Sequence, residues 1–151
     1  MESNRIVGIA LESPVSWVRV TIPAHEPCTL PFPAALTDST PRSLLFVRHG
    51  VQSEERVVHW VCPHDASIEE WISPARWSPN ANVRLERSAA LITIVGESAS
   101  VNGDVTAQAE SALESAGIPI WSIQSGAHSL SILIPGAEGE RASRLLHDAL
   151  L

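Results

Sequence analysis

The chain has 151 residues, 44% of them hydrophobic, and a net charge of −7, which supplies enough apolar material for a packed core and excludes wholesale disorder. All ten basic residues are arginine, spread without a block, so no footprint for nucleic acid or an anionic membrane is present, and the lack of lysine excludes a phosphate-loop lysine or a Schiff base. Two cysteines, Cys28 and Cys62, follow a polar start and suit a reducing cytoplasmic setting better than a secreted disulfide framework.

Residues 6–11 (IVGIAL) form a short continuous apolar run that predicts a buried strand. Glu12, Ser13 and Pro14 carry turn chemistry. From Trp17 to Ile22 the pattern alternates: Val18, Val20 and Ile22 share one side, and Trp17, Arg19 and Thr21 the other, as in a half-buried strand. Pro23, Pro27, Pro31 and Pro33 follow. They restrict any helix there to a short piece over residues 32–37, since proline suits only a first helical turn. Residues 43–49 and 56–62 read as strands of a hairpin turning over residues 50–54. Ser67 and Glu70 form a candidate capping box before Ile68, Trp71 and Ile72, with Pro74 and Pro79 ending that helix. Residues 82–86 are expected as a linking strand.

The second half repeats the order more cleanly. Residues 91–95 predict a strand. Asn102 or Asp104 would cap a helix whose inward face is Val105, Ala109, Ala112, Leu113 and Ala116. Gly117 stands where a left-handed helix end is wanted. Residues 118–124 and 129–134 predict strands, and Pro135-Gly136 a turn. Residues 138–151 close as a helix with Ala142, Leu145, Leu146, Ala149 and Leu150 inward. Its early glutamates and later arginines suit the helix dipole. Strand, helix, strand, strand, helix, met twice, predicts an α+β fold of two ferredoxin-like (βαββαβ) units, with antiparallel sheets and helices on one face.

Catalytic signatures are missing from this reading. There is no nucleophile elbow and no glycine-rich phosphate loop, so no catalytic residue and no cofactor are expected. His59, Cys62, His64 and Asp65 are the best metal candidates. His59 and Cys62 are separated by an odd step, however, and face opposite sides of a strand, so the closed tetrahedron of a metal site is not expected. Cys28 has only His25 as a nearby base and reads as an ordinary thiol. His128 reads as a solvent-facing turn residue. Trp17, Trp60, Trp71, Trp77 and Trp121 read as core or interface anchors, with Trp121 on the strand that would border a pocket.

Residues 91–97 (LITIVGE), 112–118 (ALESAGI), 130–134 (LSILI) and 145–150 (LLHDAL) resemble the C-terminal regulatory segment of aspartate kinases, a tandem pair of ACT domains. Residues 6–11 and 17–22 (WVRVTI) are similar to the start of the same segment. The likeness runs over nearly the whole chain and takes the form of the free-standing regulatory, or beta, subunit. It implies a first, degenerate ACT unit over residues 15–80. A second unit, residues 81–151, would be completed by an N-terminal strand over residues 5–12.

It further implies a non-catalytic protein that binds a small amino-acid effector, usually lysine or threonine, often as a homodimer, and acts on an aspartate kinase catalytic chain. The loop between the first strand and first helix of each unit would carry much of the site. In the first unit that loop is His25, Glu26, Pro27, Cys28, Thr29 and Leu30. In the second it runs from Gly96 to Asn102, Gly103, Asp104 and Val105, bordered by Ile118, Ile120, Trp121 and Ile123. A helix start offers unpaired amides and partial positive charge to the effector's carboxylate. The family's Asp-x-Pro-Gly pattern keeps only Pro27 here, with His25 and Cys28 at its ends, and Pro119 replaces an asparagine after the Ala-Gly-Ile turn. Those departures leave a second reading open: a ligand-free ACT module for dimerisation or protein interaction.

Overall fold

A computed structural model describes residues 6–23, 25–26, 46–52, 54–63, 80–96, 103–126 and 128–151. In chain order the elements are β1 (Ile6–Pro23), β2 (Phe46–Gln52), β3 (Glu55–Pro63), β4 (Asn82–Gly96), α1 (Gly103–Ser115), β5 (Ser122–Ser125), β6 (Ser129–Pro135), a 3-10 turn (Gly136–Glu138) and α2 (Gly139–Leu150). The helices expected over residues 32–37 and after Ser67 lie outside the described residues. The chain divides into two compact units: a C-terminal one of Met1–Pro14 with Ser88–Leu151, and an N-terminal one of Val15–Arg87.

In the C-terminal unit the strand order is β1, β4, β6, β5, a four-stranded antiparallel sheet with two helices. The register pairs Ala90 with Ile134, Ile92 with Ile132 and Ile94 with Leu130. Cross-strand partners share a face, and all six side chains are fully buried. On α1, Val105, Ala109 and Leu113 recur at helical spacing and are buried against that face, with Ala142 and Leu146 of α2 beside them. Ile6, Ile9 and Leu11 of β1 join the same core. The opposite sheet face is apolar in part, because Leu91 and its partner Leu133 are also buried.

The end of α1 follows from local hydrogen bonding. Gly117 takes φ 73°, a conformation that costs other residues a clash of Cβ. This lets its N–H donate to Glu114 O at 3.0 Å and the Ile118 N–H donate to Leu113 O at 3.0 Å. That double bond pattern closes a helix on a left-handed residue, and it commonly brings a hydrophobic contact across the turn. Ile118 and Leu113 are both in the buried cluster.

In the N-terminal unit the described strands take the order β2, β3, β1, β4. Val18, Val20 and Ile22 are buried, while Trp17, Arg19 and Thr21 are half-buried, so the alternation in the sequence matches the two faces of β1. β1 pairs antiparallel with β3, placing Arg19 opposite His59 and Trp17 opposite Val61. β2 and β3 form the expected hairpin. Its strands run on to a Gln52–Glu55 pair, so Gly50, Val51 and Gln52 belong to β2 and the turn is tighter than the expected one.

Other expectations are corrected. Glu12, Ser13 and Pro14 make no turn, and β1 continues through them with a cis Ser13–Pro14 peptide. Proline's fixed φ fits extended backbone, and the residue before it is pushed the same way. Residues 82–86 and 91–95 are parts of one strand, β4. The strand expected over residues 118–124 shrinks to Ser122–Ser125, since Pro119 has no N–H for a ladder. Ala149 is exposed; it lines a shallow groove with Gln108 and Ser111 of α1 instead of facing the sheet.

Candidate functional site

The chain leaves β4 at Gly96 and re-enters described structure at Gly103, where α1 begins. The two ends are held differently. Gly96 is buried, and its N–H donates to His128 O at 3.0 Å, so this amide is already used by the turn between β5 and β6. That turn is closed by the Gly126 N–H donating to Ser129 O at 2.8 Å. At the start of α1, Asp104 is exposed in the first turn, where a carboxylate is favoured by the helix dipole. Val105, only 3% exposed, fastens that turn into the core. The N-terminal end of a helix carries partial positive charge, and here it stands beside one acidic side chain, Asp104.

The structure does not gather the expected C-terminal set at one place. Ser125 pairs with Leu130 and Val95 with Ser129, so the β5–β6 turn lies at the Gly96 end of the sheet. Trp121 lies at the other end: its N–H donates to Leu133 O at 2.8 Å, and Leu133 pairs with Leu91. The rise per residue of a strand separates Leu91 from Gly96 by about 17 Å, and α1 spans about 20 Å. Gly96, Gly103, Asp104 and Val105 therefore mark one end of the unit and Ile118, Ile120 and Trp121 the other, with Ile123 between them, paired with Ile132. Ile118 is 2% exposed and has its side chain in the core. Ile120, Trp121 and Ile123 are half-buried. His128, read from the sequence as a turn residue, turns out to sit beside Gly96 at the helix-start corner. Its signal was the hairpin itself, which must return the chain to the end of β4.

In the N-terminal unit, His25 is exposed and Glu26 half-buried just past β1. The Glu26 N–H donates to Pro23 O at 3.1 Å, and its carboxylate accepts a hydrogen bond from the Asn80 side-chain amide. Pro27, Cys28, Thr29, Leu30 and Asn102 lie outside the described residues. Among the described residues no group of three His, Cys, Asp or Glu converges to hold a metal; of the four metal candidates, His64 and Asp65 fall outside them. No helix among them is long and apolar enough to cross a membrane.

Residues 92–150 match the model of the ACT domain family. No curated protein matches the sequence. Among solved structures, the regulatory subunit of aspartate kinase from Thermus flavus aligns with a TM-score of 0.74 and 22% identity, covering 97% of this chain and 99% of that one. The ligand-free regulatory subunit from Thermus thermophilus aligns with a TM-score of 0.71 and 18% identity, covering 97% and 99%. Aspartokinase III of E. coli, solved in complex with lysine and aspartate, aligns with a TM-score of 0.64 and 19% identity. That alignment covers all of this chain and 34% of the enzyme. At these identities the likeness establishes the fold.

Proposed function

We propose that this chain, whose residues 92–150 match the model of the ACT domain family, is a non-catalytic regulatory protein that binds a small amino acid of the lysine or threonine kind and controls an aspartate kinase catalytic chain. The observation that supports the reading is the likeness in fold to the Thermus regulatory subunits, which covers 97% of this chain. In the same reading residues 15–80 are a degenerate first ACT unit, the assembly is a homodimer, and the protein works in the cytoplasm. The start of α1 is the place for the effector's carboxylate, because amide donors and a helix dipole favour an anion there, and Asp104 suits the ammonium. The two ends of the C-terminal unit would meet one ligand only when a second copy brings its own strand to the helix start.

Calorimetric titration of the purified chain with lysine, threonine and the other amino acids tests this reading. Saturable heat with one or a few of them is the expected result, and none across the panel, with a catalytic chain present as well, overturns it.

The alternative is a ligand-free ACT module that pairs with itself or a partner protein. The side-chain bond from Asn80 to Glu26 and the His25 and Cys28 departures from the family loop favour it for the N-terminal unit. A chain that stays monomeric at all concentrations and captures no partner would exclude it.

A further inference from the structure

We draw no further inference here: the strongest candidate, the cavity of about 320 Å³ between β1 and the start of α2 lined by Leu11, Ser13, Gly136, Ala137 and Glu140, rests on a helix N-terminus and one exposed carboxylate, and nothing in the structure shows what would occupy it.

Discussion

Trp17 and His59 are joined twice: the indole N–H donates to Nδ1 at 3.1 Å, and the two rings lie 15° from parallel with centroids 5.6 Å apart. One residue is on β1 and the other on β3, 42 positions away in sequence, so the contact tests the register of the N-terminal sheet. A half-buried hydrogen bond contributes about 0.5–1.5 kcal/mol, and aromatic stacking a similar amount beyond area. Trp17→Phe should keep part of the stack and lose the donor, lowering unfolding free energy by about 1 kcal/mol. His59→Ala, which removes both, should cost more. Urea unfolding of the two variants checks the order.

Gly117 closes α1 with φ 73°. Gly117→Ala should therefore destabilise by about 1–2 kcal/mol through the left-handed backbone, although no atom lies within 4 Å of the added methyl position. Gly117→Asn should cost less, since asparagine tolerates that region. Thermal unfolding of both variants separates backbone strain from crowding.

Gly136 is the opposite case. A Cβ there would stand 2.5 Å from Ser88 O and 3.0 Å from Ser88 C, backbone atoms that cannot swing aside. Gly136→Ala should shift the turn off β4 and cost about 2 kcal/mol or more. Gly8→Ala in β1, where nothing lies within 4 Å, should be neutral or slightly stabilising because a strand interior disfavours glycine. Denaturant midpoints of the two variants supply the comparison.

Leu146 is fully buried where α2 meets the sheet. Leu146→Ala should lose about 2–5 kcal/mol from transfer and cavity terms. Ala149→Ser, three positions on and exposed, should change stability by about 0.5 kcal/mol or less. Chemical denaturation of this pair tests the orientation of α2 directly.

Asp104 provides the test of the helix-start site. Proline is tolerated in a first helical turn, so Asp104→Pro should fold while losing one amide donor and the carboxylate. It should weaken effector binding, whereas Asp104→Asn, which keeps the amide, should weaken it less. Equal affinity in the wild type and Asp104→Pro, by calorimetry, would move the site away from α1.

Much of the fold was legible because period-2 and period-3.6 patterns report faces. Val18, Val20 and Ile22, and Val105, Ala109 and Leu113, needed nothing beyond spacing, and Gly117 carried its own conformational reason. The misreadings share a cause. Ser13-Pro14 is equally compatible with a turn and with extended backbone, and only the partner strand decides. Pro119 shortened β5 through a missing donor that composition alone understates. Ala149 sits at the margin of the apolar stripe, where one residue's turn of the helix decides between core and groove. The site was less legible, because Gly96 and Asp104 share one end of the unit while Trp121, expected beside them, lies about the length of a strand away. Register, set by long-range pairing, was the quantity that spacing could not supply.

The most direct measurement is the activity of an aspartate kinase catalytic chain assayed with and without this protein across added lysine and threonine. The account predicts that the two proteins co-elute and that at least one amino acid changes the kinase rate only when this chain is present. A kinase rate indifferent to every amino acid in the mixture, with no co-elution, would contradict it.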